Sequence, residues 1–384
     1  MKRMLMLASV ASMIDQFNMP NIRLLQEMGY EVHVACNFKK GSTCTEEKII
    51  KLKNTLKDMG VPYYQIDFDR NVLNIANDFK AYRQVVKLAE KYKYNFIHCH
   101  SPIGGVVGRC AAHKTHTKVV YTAHGFHFYK GAPLINWMVY YPIEKICSYM
   151  TDVLICINKE DYALAKRKMK AKKVEYIPGV GIDLTKYGSM SPEVKQIEKN
   201  RLCNEIGIDN DSKILLSVGE LNENKNHEVV IRAVAKMEDK SIAYLIAGKG
   251  ALRPKLERIS DNLGIRNQVR FLGFRSDVDK IYKISDIFLF PSKREGLPVA
   301  LMEACASSVP SIVSNIRGNI DIIENGETGI VVNENKPEEY ARNIEVLLHN
   351  KKIYEKYILK MKNKMAIYSQ ENVSKKIFNI YSCL

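Results

Sequence analysis

Hydrophobic and polar positions along the chain form two alternating patterns. Short apolar runs predict buried strands, and segments with apolar residues at helical spacing, such as Phe79–Lys91 and Leu134–Tyr149, predict helices. The predicted strands are Arg3–Val10, Glu31–Cys36, Pro62–Ile66, Phe96–His100, Val119–Ala123, Val153–Ile157, Val174–Ile177, Ile214–Val218, Ala243–Ala247, Val269–Leu272, Ile287–Phe290, Ser311–Val313 and Gly329–Val332. Strands that alternate with helices in this way predict an α/β fold with parallel sheets.

The strand–helix pattern begins afresh after the turn-forming stretch Pro178–Asp183. A chain of 384 residues is long enough for two domains, each with its own core. We therefore predict two Rossmann-like, doubly wound domains, residues 1–180 and 181–370, hinged about residues 180–210. Ligands of such sheets bind at the carboxyl ends of the strands, so the domains are expected to face a cleft. The segment 371–384 has helical spacing and can cross back to the first domain.

The composition is that of a soluble globular protein, with 46% hydrophobic and 26% charged residues. Nine cysteines without a CxxC pair favour buried thiols in a reducing cytoplasm over disulfides or a zinc site. The run Lys2–Ile14 imitates a signal peptide, but the helix and strand that follow favour a first sheet strand. No apolar run approaches the ~20 residues that span a bilayer, so any membrane attachment is expected to be peripheral.

Positive charge is concentrated in the first half of the chain. Residues 1–180 hold 27 Lys/Arg against 15 Asp/Glu, whereas the remaining residues hold 31 against 27. The densest cluster consists of Lys166, Arg167, Lys168, Lys170, Lys172 and Lys173. Such a cluster suits an anionic membrane surface on which the protein is peripheral. A solvated helix face is the alternative, and nucleic acid is disfavoured because no nucleic-acid-binding motif accompanies the charge.

Two glutamates eight residues apart are the most informative candidate site. Glu295 and Glu303 lie in the run Ser292–Glu303, which follows the predicted strand Ile287–Phe290 and opens a helix. Glu295 is predicted in the strand-to-helix turn, and Glu303 two helical turns later. A helix N-terminus favours an anion, while a carboxylate can accept hydrogen bonds from ligand hydroxyls. The combination suits a ligand with phosphates and hydroxyls, such as a sugar nucleotide.

Four more loops at predicted strand ends carry candidate chemistry. His124, in Thr122–His127, can hydrogen-bond a sugar hydroxyl or leaving oxygen, although an isolated histidine is more often structural. Cys99–Gly108 is interpreted as a packing turn, because it lacks the full glycine spacing of a dinucleotide loop. Lys225, at the end of the strand Ile214–Val218, can reach a diphosphate. The glycines of Ala247–Gly250 are expected to let a ligand approach the backbone.

Two DxD strings are candidate metal sites. Asp67–Asp69 and Asp209–Asp211 each place two carboxylates where they could hold a divalent ion against a diphosphate. Asp209–Asp211 precedes a predicted strand, where Asp and Asn are typical turn residues. Turn chemistry is therefore favoured, and no metal site is predicted.

Three segments of the second half together resemble the second domain of retaining glycosyltransferases of family four, which have the GT-B fold. They are residues 217–226, 247–250 and 292–303, the last with the Glu-x7-Glu spacing. In the first half, residues 98–105 and 121–131 resemble the branch that builds bacterial exopolysaccharide and capsule. The resemblance covers nearly the whole chain.

The resemblance implies a site and a reaction. Glu295 would bind hydroxyls of the donor sugar, Glu303 the ribose hydroxyls and Lys225 the diphosphate, while His124 would approach the sugar from the first domain. The amides of Gly296 and Leu297 would assist, and a base pocket would be lined by Gly273, Phe274 and Arg275. The implied enzyme is a hexosyltransferase that retains the anomeric configuration and needs neither metal nor cofactor.

The implied partners are a nucleotide-sugar donor, by default a uridine diphosphate sugar, and a lipid-linked glycan acceptor at the inner face of the cell membrane. Other polysaccharide-assembly proteins are further candidate partners. A sugar-nucleotide epimerase and a non-catalytic partner of another transferase are the alternative functions. An epimerase would change the donor sugar without an acceptor, which distinguishes it from a transferase.

The chain departs from the family pattern at two places. Glu220 stands where the family usually has arginine, and an anionic side chain beside a diphosphate is unfavourable. We hypothesise that Glu220 turns away and that Arg294 supplies the missing charge. The stretch Ser9–Ser12 stands where many members have paired glycines after the first strand, so the contacts of that loop are not carried over.

Overall fold

A computed structural model describes residues 2–40, 44–69 and 75–384. The strands of this part are β1 (Lys2–Val10), β2 (Tyr30–Asn37), β3 (Tyr63–Gln65), β4 (Phe96–His100), β5 (Lys118–Ala123), β6 (Val153–Cys156), β7 (Lys173–Tyr176), β8 (Lys213–Val218), β9 (Ile242–Ala247), β10 (Val269–Gly273), β11 (Ile287–Phe290), β12 (Ser311–Ser314) and β13 (Ile330–Val332). Every strand predicted from the apolar runs is present, with ends that differ by at most one residue.

The helices fill the predicted positions between the strands. They are α1 (Ala11–Phe17), α2 (Met19–Glu27), α3 (Glu46–Asp58), α4 (Ile75–Tyr92), α5 (Pro102–Lys114), α6 (Leu134–Ser148), α7 (Lys159–Lys168), α8 (Pro192–Ile206), α9 (His227–Ala235), α10 (Arg253–Asn262), α11 (Val278–Ile284), α12 (Val299–Ala306), α13 (Asn319–Ile322), α14 (Pro337–His349), α15 (Lys351–Met365) and α16 (Gln370–Ser382).

The chain divides into two compact units, each built on one parallel sheet. The first unit contains the chain up to Val180 together with Val373–Leu384, and the second contains Gly181–Asn372. The first sheet has the strand order β3-β2-β1-β4-β5-β6-β7, and the second has the order β10-β9-β8-β11-β12-β13. Both orders reverse direction at one point, as in doubly wound Rossmann-like sheets, which confirms the predicted fold class.

Central strands are apolar because helices cover both faces of each sheet. All residues of β4, β9 and β11 are buried. A parallel strand covered on both faces has no solvent side, so its sequence is a continuous apolar run and not an alternating one. This is why the apolar runs located the strands so closely.

The last helix, α16, belongs to the core of the first unit. Val373, Ile377, Ile380 and Tyr381 are buried along one of its faces. The hydroxyl of Tyr381 lies 2.7 Å from Nδ1 of His98 in β4. Helix α16 thus contributes apolar side chains and one hydrogen bond to the first sheet, although strand β4 lies nearly 300 residues earlier in the sequence.

Candidate active site

The second unit has its topological switch point between β8 and β11, which are neighbours in the sheet. The loops that follow these strands therefore leave the same sheet edge side by side, where doubly wound folds bind ligands. They are also joined directly. The amide of Lys293 donates to the carbonyl of Asn224 over 2.8 Å, and Nδ2 of Asn224 donates to the carbonyl of Arg294 over 2.9 Å. Residues 219–226 and 291–298 are thus one connected structure.

Lys225 and Glu295, predicted separately from two motifs, meet at this edge. The ammonium of Lys225 lies 2.6 Å from Oε1 of Glu295, and their side chains are only 19% and 14% exposed. The same ammonium lies 4.7 Å from the ring centroid of Phe290, at the end of β11. The site therefore presents a positive charge and a carboxylate acceptor within one hydrogen bond of each other.

Arg317 and Gly318 hold the Glu295 loop from the end of β12, and sequence reasoning missed both. Arg317 is buried, and its Nε donates to the carbonyl of Glu295 over 3.2 Å. Gly318 has φ +78°, and a Cβ at this position would lie 2.2 Å from the carbonyl oxygen of Gly296. The Arg-Gly pair in the loop after a predicted strand was the available signal.

We expect Gly318→Ala to destabilise the second unit by about 2 kcal/mol more than Gly326→Ala does. Both glycines have a positive φ, +78° and +75°, but a Cβ at Gly326 meets nothing within 4 Å. The pair is matched in φ alone, so the difference reports the clash with Gly296 together with the cost of the ψ of −49° at Gly318. Calorimetric unfolding of both variants measures the difference, and equal destabilisation would contradict the close approach described here.

Glu303 is the fifth residue of α12, because that helix begins at Val299. The prediction that it lies two helical turns after Glu295 was wrong, since residues 291–298 form a loop and not a first helical turn. Its carboxylate accepts hydrogen bonds from the hydroxyls of Tyr187, at 2.6 Å, and Tyr282, at 3.1 Å. Burial raises the pKa of Glu303, and the tyrosine hydrogen bonds oppose this.

Tyr187 and Tyr282 were not found from the sequence, since no motif marks either residue. They fix the Glu303 carboxylate with one hydrogen bond to each oxygen. A carboxylate has about four acceptor positions, so positions remain for hydroxyls of a ligand.

Residues Gly273, Phe274 and Arg275, the predicted base pocket, lie at the end of β10. Gly273 has φ +68°, and its carbonyl accepts from the amide of Gly248 over 2.7 Å. Phe274 is 58% exposed. Arg275 donates to both carboxylate oxygens of Asp277 at 2.8 Å and also pairs with Glu205. Its charge is therefore already matched by two acids.

The glycines of residues 247–250 serve packing, which corrects the expectation that they let a ligand approach. A Cβ at Gly248 would lie 1.9 Å from the carbonyl oxygen of Gly219, and one at Gly250 would lie 2.3 Å from that of Leu221. The space beside these glycines is filled by the loop after β8.

The side chains of Glu220, in the loop after β8, and Arg294, in the loop after β11, are both exposed.

His124, in the first unit, is held by a second histidine that sequence reasoning did not assign. Its Nε2 lies 3.1 Å from Nδ1 of His100, whose Nε2 lies 3.2 Å from the sulphur of Met6. A thioether only accepts hydrogen bonds, so the proton of His100 is assigned to Nε2. His124 then donates from Nε2, and its Nδ1 keeps a lone pair. The His-x-His spacing in β4 was the available signal.

A third histidine, His98, completes a stack of three rings, of which those of His98 and His100 are buried and that of His124 is half-buried. Its centroid lies 4.1 Å from that of His100, and its Nε2 lies 2.8 Å from the hydroxyl of Thr122. Burial lowers the pKa of His98 to about 3 and that of His124 to about 4, and it holds that of His100 well below its usual value. All three imidazoles are therefore neutral at physiological pH.

We expect this stack to make the first unit sensitive to acid. A histidine with a depressed folded pKa gains protons on unfolding, so its stabilising contribution is complete above about pH 6.5 and is lost as pH falls toward the folded value. The titration of His98 alone is expected to lower the free energy of unfolding by about 2 kcal/mol between about pH 7.5 and 5.

Urea unfolding followed by fluorescence of Trp137, the single tryptophan, measures this loss in the first unit. His98→Gln removes the titrating group, so the variant is expected to lose about 2 kcal/mol less than the wild type over that pH interval. His349→Gln, which removes an exposed histidine of the second unit, is the control. Equal pH slopes for His98→Gln and the wild type would contradict the buried, neutral state of His98.

Six cations predicted as one patch are not equivalent. Lys166, Arg167 and Lys168 form the exposed end of α7, and Lys170, Lys172 and Lys173 follow it. Lys172 pairs with Asp152 at 2.7 Å and Lys173 with Glu175 at 2.9 Å. Two of the six charges are therefore matched by carboxylates of the first unit.

The DxD strings carry other interactions. Asp67 pairs with Lys80 at 2.8 Å, which is the main reason that its pKa is lowered to about 2. Oδ1 of Asp209 accepts from the amide of Asp211 over 2.8 Å, as in a turn. Within the described residues, no group of three or more His, Cys, Asp or Glu side chains is arranged to hold a metal ion.

The fold defines the class of the protein. It aligns over 100% of both chains with the crystal structure of Alr3699/HepE from Anabaena in complex with UDP, at a TM-score of 0.80 and 17% identity. It also aligns with WaaG, a glycosyltransferase involved in lipopolysaccharide biosynthesis, at a TM-score of 0.73 and 15% identity over 98% of this chain and 99% of that one. These likenesses show the GT-B fold.

Sequence comparison gives the family. Residues 198–364 match the model of Glycosyl transferases group 1, and residues 22–186 match that of Glycosyltransferase Family 4. The chain is 35% identical to EpsD of Bacillus subtilis (strain 168), provisionally named a glycosyltransferase, over 99% of this chain and 96% of that protein. The protein therefore belongs to the GT-B glycosyltransferases of family 4, as its motifs predicted.

A second relative has a more specific name. The chain is 28% identical to the Escherichia coli UDP-Gal:alpha-D-GlcNAc-diphosphoundecaprenol alpha-1,3-galactosyltransferase, over 86% of this chain and 83% of that protein. That name describes a uridine diphosphate sugar as donor and a glycan on a diphospholipid as acceptor.

Proposed function

We propose that this glycosyltransferase moves a hexose from a uridine diphosphate sugar to a lipid-linked glycan precursor of a cell-surface polysaccharide, with retention of the anomeric configuration. The observation that carries the proposal is the Lys225–Glu295 pair at the switch point of the second sheet. It combines a cation for a diphosphate with a carboxylate for sugar hydroxyls. The name of the Escherichia coli relative supports the donor class and the acceptor class.

Lys225 supplies charge where the leaving group needs it. As the bond between the anomeric carbon and the phosphate oxygen breaks, negative charge develops on the nucleotide diphosphate. A preorganised ammonium and the amides of Gly296 and Leu297 stabilise that charge without reorganisation. Glu295 keeps the Lys225 ammonium in place before the donor binds, since the two are joined over 2.6 Å. In this proposal the ammonium and the backbone amides stabilise the charge of the departing diphosphate, so no metal ion is required.

Glu295 and Glu303 bind the two sugars of the donor. Glu295 accepts hydrogen bonds from hydroxyls of the transferred hexose, and Glu303 accepts from the ribose through the positions that the two tyrosines leave open. The base lies at the end of β10, where the resemblance places its pocket. In the first unit, the lone pair on Nδ1 of His124 accepts from a substrate hydroxyl, and this works across neutral pH because burial keeps the ring uncharged.

Retention follows if the acceptor hydroxyl attacks the anomeric carbon from the face that the diphosphate leaves. The new bond joins the acceptor oxygen to that carbon, the bond to the phosphate oxygen breaks, and the hydroxyl proton passes to the departing phosphate. This route needs no protein nucleophile and gives the same configuration in donor and product.

A thermal-shift screen of nucleotide sugars tests the donor part. A ligand that binds only the folded state raises the unfolding temperature by mass action. We expect uridine diphosphate sugars to stabilise the protein, and Arg294→Ala to weaken that effect if Arg294 replaces the arginine missing at Glu220. Unchanged nucleotide affinity in Arg294→Ala would contradict the role of Arg294 alone. Stabilisation by no nucleotide sugar would contradict the donor proposal.

A further inference from the structure

Helix α6 exposes an apolar face to solvent in the described part of the chain. Seven large apolar side chains on this face are between 42% and 75% exposed, whereas Glu144, Cys147 and Ser148 on the opposite side are buried. The seven are Leu134, Ile135, Met138, Val139, Ile143, Ile146 and Tyr149. At 100° per residue they occupy one half of the helix circumference. A continuous exposed apolar surface of this kind marks an interaction site.

Basic residues border this apolar face at the C-terminal end of α6. Lys145 lies on the exposed side, and its ammonium donates to the carbonyl of Lys168. The amide of Lys170 donates to Oγ of Ser148 over 2.9 Å. The basic end of α7 and the residues after it therefore touch α6 directly.

The charges of this border are available to a partner. Arg167, Lys168 and Lys170 are exposed, and among the described residues no carboxylate forms an ion pair with any of them. From Leu134 to Tyr149 the only acid is Glu144, which is buried and paired with Arg109 at 2.8 Å. The surface is thus apolar along the helix, cationic at one end and free of exposed acids along the helix.

We propose that the apolar face of α6 inserts into the interface of an anionic membrane, with Lys145, Arg167, Lys168 and Lys170 on the lipid headgroups. An amphipathic helix lies in the membrane plane when it combines an apolar face with flanking cations. The 15 residues of α6 are fewer than the ~20 that span a bilayer, and no helix of the described chain is long and apolar enough to cross one.

Charge selects the membrane over a second copy of the chain. A two-fold interface brings the same surface of both copies together, and because α6 carries no exposed acid, the cationic border would find no carboxylate on the facing helix. Anionic headgroups neutralise the same border. This inference rests on the proposed function and names the surface through which the enzyme reaches a lipid-linked acceptor. Helix α6 begins soon after the loop that carries His124, so the membrane surface and this candidate substrate contact are close in the sequence. It is tested without any sugar substrate, so its failure and that of the proposed function are distinguishable.

Co-sedimentation of the full chain with vesicles tests the proposal. The probes are neutral phosphatidylcholine vesicles and vesicles with about one quarter phosphatidylglycerol. We expect binding to the anionic vesicles that weakens in about 0.5 M NaCl. Met138→Glu with Ile146→Glu should lower the partition coefficient at least about tenfold, because each change places a charge at the apolar contact. The triple change Arg167→Gln, Lys168→Gln and Lys170→Gln should weaken binding to anionic vesicles only.

Leu359→Glu is the matched control. Leu359 lies on α15 of the second unit and is 64% exposed, close to the 65% of Met138 and the 64% of Ile146. The control should bind vesicles like the wild type, and all variants should unfold at similar temperatures because the altered side chains are exposed. Absence of wild-type binding at low salt, or equal binding by Met138→Glu/Ile146→Glu, would overturn the proposal. A dimer that this double variant dissociates would instead assign α6 to contacts between copies.

Discussion

Replacement of Glu295 by alanine is expected to lower the rate of sugar transfer about 100- to 1,000-fold. The carboxylate lies at the strand end with only 14% of its side chain exposed, where water screens it poorly. Its loss removes hydrogen bonds to hydroxyls of the reacting sugar and leaves the Lys225 ammonium without its partner. Glu295→Gln keeps one carbonyl acceptor at the same place and should lose less activity.

A steady-state transfer assay with the donor found by thermal shift measures the Glu295 effect. Glu355→Ala removes an exposed glutamate of α15 in the same unit and should leave the rate unchanged. Full activity in Glu295→Ala, in preparations whose activity needs this chain, would favour the alternative that the chain is a non-catalytic partner of another transferase.

Replacement of Lys225 by methionine is expected to weaken binding of the nucleotide diphosphate about 10- to 100-fold, as for the loss of a charged hydrogen bond. Methionine retains an unbranched apolar stem of similar length, so packing is largely preserved while the charge is lost. Lys249→Met, at an exposed position of a neighbouring loop, controls for the general loss of positive charge.

The double variant Lys225→Met/Glu295→Gln separates the structural role of the pair from its role in binding. Each single variant leaves one largely buried polar group without its ionic partner, whereas the double variant leaves no uncompensated charge. Stability should therefore recover in the double variant, while affinity for the diphosphate should not. Recovery of nucleotide binding together with stability would mean that Lys225 acts only as a structural partner of Glu295.

Most strands were predictable because they are buried apolar runs, and helices because their apolar positions recur with helical spacing. The glutamate spacing also located Glu295 and Glu303 in the donor-site candidate. Their exact placement was not predictable, since nothing in the residue pattern shows that 291–298 forms a loop and that the helix begins at Val299. The expectation for the glycines of 247–250 failed for a similar reason, because the loop that fills the space beside them is distant in sequence.

Supporting residues were the main omission. Tyr187, Tyr282 and Arg317 act on the glutamate loop and helix from separate segments of the chain, so only the fold brings them together. His100 was visible in the His-x-His spacing of β4, but its effect on His124 depends on Met6 in a neighbouring strand. The exposed apolar face of α6 could not be predicted either, because apolar spacing on a helix does not show which face packs on the sheet.

The anomeric configuration of the product tests the central claim most directly. The protein is incubated with a uridine diphosphate hexose and a polyprenyl diphosphate glycan, and the coupling constant of the new anomeric proton is measured by nuclear magnetic resonance. We expect transfer that depends on both substrates, with the configuration of the donor retained. An inverted product, or a donor sugar epimerised in the absence of acceptor, would contradict the account.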